Sequence, residues 1–143
     1  MDPNNSIVLL CVSGIQAEQQ GRMADAHASY EQAWTAHSSD FEACIAAHYL
    51  ARTQASEPDR LKWNTEALSR ADAADPEQTR GFYPSLLLNL GRSHEVLGDV
   101  AEARRLFQLA AARVDELQAG PLGDMTRKGI ASALERVGFP PCA

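Results

Sequence analysis

The chain has 143 residues, of which 45% are hydrophobic and 22% are charged, and its formal net charge is −6. These values are ordinary for one soluble globular domain. The acidic balance, without a cluster of five or more Lys and Arg residues, excludes a typical nucleic-acid binder, because affinity for nucleic acid comes from neutralising phosphates.

The charge is unevenly distributed, because residues 1–78 hold 12 acidic and 5 basic side chains whereas residues 79–143 hold 7 and 8. The one strongly apolar run, IVLLCVSGI at residues 7–15, is about half as long as a membrane span requires. It also lacks the basic segment that precedes the apolar part of a signal peptide. Three cysteines are too few for a disulfide framework. We therefore expect a cytoplasmic protein without a membrane partner.

Helix-forming residues and helix-end signals dominate the rest of the chain. Ser39 with Glu42, and Asp99 with Glu102, have the spacing of capping boxes. Prolines in the first turn favour helix starts after Ser56 and Asp75, and Gly21, Gly98 and Gly120 suit helix C-termini. These signals predict seven helices at about 5–20, 23–37, 40–54, 58–74, 82–97, 99–117 and 124–137.

A spaced set of small and aromatic residues occurs twice in the chain. In each copy a second glycine follows the first by seven residues, and alanine, an aromatic residue and alanine stand five, nine and twelve residues beyond it. Small residues let two helices approach closely, and the last three positions share one helix face. The pattern therefore predicts a closely packed helical hairpin. The two sets are Gly14, Gly21, Ala26, Tyr30, Ala33 and Gly91, Gly98, Ala103, Phe107, Ala110.

This spacing resembles the tetratricopeptide repeat, a helix–turn–helix unit of about 34 residues. The resemblance covers residues 10–33 and 87–110, although Ala17 and His94 stand where the family usually has tyrosine. It implies an all-α, right-handed α-solenoid of three hairpins and a C-terminal capping helix, in a single domain over residues 1–138. The corresponding hairpins are about 5–37, 40–74 and 82–117, the capping helix is about 124–137, and residues 139–143 are expected to be a flexible tail.

The middle unit is irregular, since residues 41–83 exceed the repeat length by about nine. Ala71 and Pro76 fit the end of a repeat, and Leu68 then takes the aromatic position. The small-residue position falls on His48 or, after a shift of one residue, on Ala47. Packing favours Ala47, and both registers remain open.

Motifs for chemistry are absent: the chain has no Gly-rich phosphate loop, HExxH, CxxC or GxSxG. We therefore expect no enzyme, no metal and no cofactor. Cys11 and Cys44 are interpreted as small buried residues, and His94 as an interhelical histidine with a partner. Trp34 and Trp63 are interpreted as filling the seams between hairpins, although an exposed pair would indicate a binding surface.

The resemblance implies a concave groove lined by the first helix of each hairpin. Its positions include an apolar set near the N-terminus and polar residues further along, a mixture that suits a peptide with one apolar anchor and a few charge or amide contacts. The residues predicted to line it are Val8, Cys11, Ile15, Glu18, Glu42, Ile45, Tyr49, Arg52, Ser85, Leu88, Asn89, Arg92 and Glu95. Of these, Glu42, Tyr49, Arg52, Asn89, Arg92 and Glu95 are the candidate contacts.

The favoured function is a protein–protein interaction module that binds a peptide or protein segment in this groove. One alternative is a sensor of a small molecule or signalling peptide, which would need a closed pocket. Another is a self-associating scaffold, with a homodimer formed through a terminal helix, because the run IVLLCV is unusually apolar for the end of a solenoid. A chaperone-tail clamp is disfavoured, because Cys11 and Ile15 stand where a basic residue and an asparagine are needed.

Overall fold

The computed structural model describes residues 2–138, and within this range every regular element is helical. The helices are α1 (Ser6–Gln19), α2 (Met23–Ala36), α3 (Asp40–Arg52), α4 (Glu57–Ala73), α5 (Pro76–Thr79), α6 (Tyr83–Val96), α7 (Val100–Ala112) and α8 (Pro121–Arg136), with 3₁₀ turns at Arg80–Phe82 and Val114–Glu116. The all-α prediction is confirmed for this part of the chain. The expected flexible tail at residues 139–143 lies outside it.

The first five predicted helices end within two residues of the observed bounds, and the last two differ more. The helix predicted over residues 99–117 ends at Ala112 and is followed by the 3₁₀ turn. The last helix begins at Pro121 rather than at 124, because proline is accepted at a first helical position. Gly120, predicted to end a helix, instead precedes α8 with a φ of +119°.

The chain forms two compact units with a boundary between Gln78 and Thr79. In the first unit α1 packs on α2, α3 packs on α4, and α3 also contacts both α1 and α2. In the second unit α6 packs on α7, and α8 packs on both of them. Neighbouring helices therefore form pairs within each unit. The boundary also divides the charge, since residues 1–78 have 12 acidic and 5 basic side chains and residues 79–143 have 7 and 8.

Each repeated glycine in a helix provides the space for the aromatic ring of the following helix. A Cβ atom at Gly14 would lie 2.2 Å from Cε1 of Tyr30, and one at Gly91 would lie 2.5 Å from Cε1 of Phe107. Both rings are fully buried. The second glycine of each set, Gly21 or Gly98, has a positive φ of 75° or 91°, which glycine adopts at little cost. The hairpin packing predicted from the repeat is therefore confirmed in both copies.

Side chains satisfy the first backbone N–H groups of four helices. Asn5 Oδ1 accepts hydrogen bonds from the N–H groups of Ile7 and Val8 at 2.8 and 3.1 Å. Ser39 Oγ accepts from the N–H of Glu42 at 3.1 Å, and Ser56 and Asp99 play the same part for α4 and α7. The two predicted helix starts at Ser39 and Asp99 are confirmed.

In the middle hairpin Ala47 is fully buried, whereas His48 is half-buried. Ala71 is also buried, and Leu68 is half-buried. This burial fits the register that places Ala47 at the small-residue position.

None of the helices described over residues 2–138 combines the length and the apolar character that crossing a membrane would require.

Replacing Gly91 with alanine tests the close approach of α6 and α7. The new Cβ would meet the Phe107 ring at 2.5 Å, and this crowding opposes the gain of about 1 kcal/mol in helix propensity. We expect Gly91→Ala to lower the free energy of unfolding by about 1–3 kcal/mol in urea denaturation followed by circular dichroism. Adding Phe107→Leu should restore part of the loss.

Gly129→Ala in α8 is the matched control, because its Cβ would meet only the ends of the flexible Leu88 and Arg92 side chains, at 3.1 and 3.2 Å. Gly129→Ala should change the free energy of unfolding by less than about 1 kcal/mol. Equal stabilities for Gly91→Ala and wild type would refute the packing argument.

Candidate functional site

In the first unit, two of the predicted contact residues lie on the exposed side of α3, next to α1. The Tyr49 ring stacks on the Tyr30 ring, with centroids 5.4 Å apart and planes inclined by 23°. Arg52 Nε donates to both carboxylate oxygens of Glu18, at 3.3 and 3.1 Å. The Tyr30 hydroxyl donates to the same carboxylate. Tyr30 and Glu18 thereby hold Tyr49 and Arg52 in fixed positions on one helix face.

Burial differs sharply along this face. The Glu18 side chain is 13% exposed, whereas that of Arg52 is 55% exposed. Both hydrogen bonds from Arg52 to Glu18 use Nε, and neither Nη atom makes a hydrogen bond to that carboxylate. Burial raises the pKa of Tyr49, which keeps its phenol neutral. The face therefore offers a neutral hydroxyl on a half-buried ring and an exposed guanidinium.

Glu42, a third predicted contact, is engaged in holding helix ends together. Its carboxylate accepts from Asn5 Nδ2 at 2.9 Å and from the Ser38 N–H at 2.8 Å. These hydrogen bonds, led by the one from Asn5, lower the pKa of Glu42. The structure thus gives Glu42 a capping role between α1 and α3, and its predicted contact with a partner stays a prediction.

In the second unit, α8 lies along the predicted groove side of α6. Ser85 Oγ and Thr126 Oγ1 are 3.3 Å apart at one end, and Arg136 donates to both oxygens of Glu95, at 3.1 and 3.0 Å, at the other. Glu95 is therefore committed to an ion pair within the unit. Its predicted role as a binding residue also stays a prediction.

Between these two ends, α8 presents a glycine to α6. A Cβ at Gly129 would lie 3.1 Å from Cδ2 of Leu88 and 3.2 Å from Nη2 of Arg92. Leu88 is buried and Arg92 is exposed. Asn89, the remaining candidate, is half-buried and interacts with other protein groups. Of the candidates in this unit, Arg92 is thus the one whose charged group is most open to a ligand.

Both copies of the repeat contain a glutamate–arginine ion pair that the sequence analysis did not predict. Glu18 and Glu95 each stand four residues after the small glycine of their set. Glu18 of α1 forms an ion pair with Arg52, the last residue of α3. Glu95 of α6 forms one with Arg136, the last residue of α8. The recurrence of glutamate at one repeat position was the available signal, but the arginine partners lie outside the matched spacing.

Most of the apolar residues predicted to line the groove in the first unit are buried in its core. Cys11 and Cys44 are buried free thiols, as expected, and burial raises the pKa of each to about 12. Val8 and Ile45 are also buried, so they contribute to the core rather than to an open groove. Ile15 is half-buried.

The two tryptophans meet between α2 and α4, as predicted for residues that fill a seam. Their ring centroids are 4.9 Å apart in an edge-to-face arrangement, and both rings are half-buried. The Arg70 guanidinium lies 5.5 Å from the centroid of Trp34 and forms ion pairs with Asp40 and Glu66.

In the second unit, the imidazole of His94 lies 3.8 Å from the carboxylate of Asp99.

A cleft of about 400 Å³ lies in the first unit near the start of α1. Its lining is mainly polar and acidic, comprising Asp2, Asn5, Ser39, Phe41, Glu42, Glu77 and Gln78. Over residues 2–138, no group of three or more His, Cys, Asp and Glu side chains could hold a metal ion.

The apolar first helix exposes Leu9 by 52% and Val12 by 41%. The sensor and self-association alternatives stay predictions.

Comparison with known proteins gives one similarity. The chain is 30% identical over 139 residues to cellulose synthase operon protein C of Pseudomonas fluorescens (strain SBW25). The aligned part covers 96% of this chain but only 10% of that protein, so the chain spans about a tenth of its relative's length. No family model matches the chain, and no solved structure matches it. The similarity and the all-helical fold are compatible with a tetratricopeptide-like protein.

The burial of His48 predicts that the stability of the chain depends on pH. Its Nδ1 is buried without a hydrogen bond, and its ring meets that of Tyr49 at 4.9 Å. Burial, aided by the charge of Arg52, lowers the pKa of His48 from 6.5 to about 4. Because the folded state then binds the proton less tightly than the unfolded state, stability is present above pH 6.5 and is lost as pH falls towards 4.

We expect His48→Leu to remove up to about 3 kcal/mol of this loss between pH 6.5 and pH 4. The measurement is urea denaturation at a series of pH values, with His27→Leu as the control, because His27 is partly exposed and has Thr53 and Glu31 as partners. Parallel stability curves for wild type and His48→Leu would show that His48 is protonated at no cost to the fold.

Proposed function

We propose that the chain is a non-catalytic protein-interaction module that binds a peptide or protein segment on the first helices of its hairpins. The observation that carries this proposal is the face formed by Tyr49 and Arg52. There an aromatic ring and an exposed guanidinium stand side by side on α3, one turn apart. Tyrosine and arginine are enriched among residues that dominate the energy of protein interfaces.

Tyr49 and Arg52 are held in position before any partner binds, which lowers the entropic cost of binding. Tyr49 is held by the stacked Tyr30 ring, and Arg52 is held by a carboxylate that also accepts the Tyr30 hydroxyl. Side chains that are already ordered lose little conformational freedom when a partner docks. The free Nη groups of Arg52 suit a carboxylate or backbone carbonyl, and the Tyr49 hydroxyl can donate or accept a hydrogen bond.

The similarity to cellulose synthase operon protein C supports the proposal for a segment only. The alignment covers nearly all of this chain and a tenth of the relative. The name of that protein places it in a cellulose synthase operon and says nothing of a ligand for the matched segment. The proposal therefore rests on the α3 face and on the repeated hairpins.

The test is a pull-down from native lysate with wild type beside a Tyr49→Phe/Arg52→Gln double variant, followed by calorimetry with the protein that wild type retains. Tyr49→Phe keeps the ring stack and removes the hydroxyl, while Arg52→Gln removes the charge. Loss of hydrogen bonds that involve a charged group costs about 1.5–3 kcal/mol, so we expect Kd to rise by roughly ten- to a hundred-fold.

Arg22→Gln is the control variant, because Arg22 is exposed near the α1–α2 turn and pairs only locally with Asp25 and Gln20. It should bind as wild type does. Equal binding by the double variant would place the interaction away from the α3 face, and the absence of any specifically retained protein would contradict the interaction role itself.

A further inference from the structure

The second unit exposes an apolar stripe beside the groove side of α6. Leu122 and Met125 are 81% and 68% exposed, more than any other large hydrophobic side chain described in residues 2–138. With Gly129 they occupy positions i, i+3 and i+7 of α8, which share one helix face. Because Gly129 touches Leu88 and Arg92, this face borders α6 directly.

A cation without a protein partner lies at the end of this stripe. Arg92 is exposed, and within residues 2–138 its guanidinium has no hydrogen bond or ion pair. Glu95, the acidic residue one turn further along α6, is occupied by both nitrogens that Arg136 offers, at 3.1 and 3.0 Å. No carboxylate of the helix pair therefore forms an ion pair with Arg92, whose Nη2 lies 3.2 Å from the position that a Cβ at Gly129 would take.

Helices α6 and α8, which carry these residues, contact each other through polar side chains near both ends. The contact between Ser85 and Thr126 and the ion pair between Glu95 and Arg136 show that α6 and α8 run in the same direction. These contacts hold the apolar stripe of α8 in a fixed position relative to Arg92 of α6. Met125 precedes Gly129 by four residues and Leu122 by seven, so the apolar side chains stand about 6 and 10 Å along the axis from the position of the guanidinium.

We propose that the seam between α6 and α8 binds an acidic peptide segment, with a carboxylate on Arg92 and a large aliphatic or aromatic side chain on Leu122 and Met125. This inference rests on the proposed interaction function and names the chemistry of one partner. If the segment is helical, its carboxylate and the side chain that meets Met125 are about four residues apart. If it is extended, the carboxylate and the apolar side chain are about two or three residues apart.

Charge and chemistry both favour this occupant. A guanidinium binds a carboxylate through two parallel hydrogen bonds, and methionine adapts its shape to different apolar side chains. The sequence from residue 79 onward has a balance of +1, from 8 basic and 7 acidic side chains, whereas residues 1–78 have a balance of −7, from 5 and 12. The net charge of this unit therefore opposes an acidic segment less than that of the other unit does.

The test selects binders from a phage-displayed library of random dodecapeptides on the full chain and on three variants. Arg92→Glu reverses the charge, Leu122→Ser/Met125→Ser removes the apolar pair, and Lys128→Glu is the matched control. Lys128 is exposed on α8 and makes the same charge change. It lies about 60° around the helix from Met125 and about 100° from Gly129, so it shows whether any charge reversal beside the stripe has the same effect. Circular dichroism verifies that each variant is folded.

We expect wild type and Lys128→Glu to enrich peptides that carry Asp or Glu within four residues of Leu, Ile, Met or Phe. Arg92→Glu should lose the acidic preference, and the double serine variant should lose the apolar one. For a recovered peptide, fluorescence anisotropy should show Kd rising about tenfold or more for Arg92→Glu and less than about twofold for Lys128→Glu.

Three results would overturn the inference. Selected peptides without acidic enrichment, or an unchanged Kd for Arg92→Glu, would remove the seam as the site. If the same peptides lose affinity with Tyr49→Phe/Arg52→Gln instead, the proposed function stands while this inference fails. A dimer in sedimentation velocity that the double serine variant abolishes would assign the apolar stripe to a second copy of the chain.

Discussion

The contact between a glycine in one helix and an aromatic ring in the next is the constraint on which both hairpins depend. With only a hydrogen at Gly14 or Gly91, the backbone of the first helix approaches the ring of Tyr30 or Phe107 to a distance that a Cβ would forbid. Both rings are fully buried, and that of Tyr30 also stacks on Tyr49 of α3. Dense packing of this kind tolerates little change in volume, so the hairpins keep their shape even though each is short.

The same approach brings the ends of the helices close enough for charged side chains to connect one hairpin with the helix that follows. Glu18 and Glu95 extend from the first helix of each hairpin to Arg52 and Arg136. These carboxylates are 13% and 22% exposed, whereas the arginines are 55% and 44% exposed. Each ion pair thus anchors an acidic group and leaves part of a guanidinium on the surface, where it can meet a partner.

Both proposed binding surfaces therefore centre on an arginine whose guanidinium the fold leaves exposed. Arg52 is held through Nε alone, and Arg92 rests against a glycine of α8 without a carboxylate. Beside each stands an apolar surface, the Tyr49 ring in the first unit and the stripe of Leu122 and Met125 in the second. A cation next to an exposed apolar group suits segments of a partner that combine carboxylates with large side chains.

The sequence by itself determined the elements of the fold, because the features that specify them are local. Helix bounds follow from caps such as Ser39 and Asp99, and the hairpins follow from the spacing of Gly14 and Gly91 to their aromatic residues. Burial of Cys11 and Cys44 could also be predicted, since free cysteine is commonly buried. The helix start after Asp75 was predicted and is observed at Pro76, but the four residues of α5 show no periodicity and were not predicted as a separate helix.

Only the tertiary structure decided which polar residues are available at the surface. Glu42 and Glu95 fit the spacing of groove positions as well as Arg92 does, yet the first is bound by Asn5 and Ser38 and the second by Arg136. Asn5 and Arg136 lie 37 and 41 residues away in the chain, where no periodicity within one helix reaches, whereas Ser38 is local to the start of α3. The availability of a charge depends on which helices pack together, and that packing brings together residues distant in sequence.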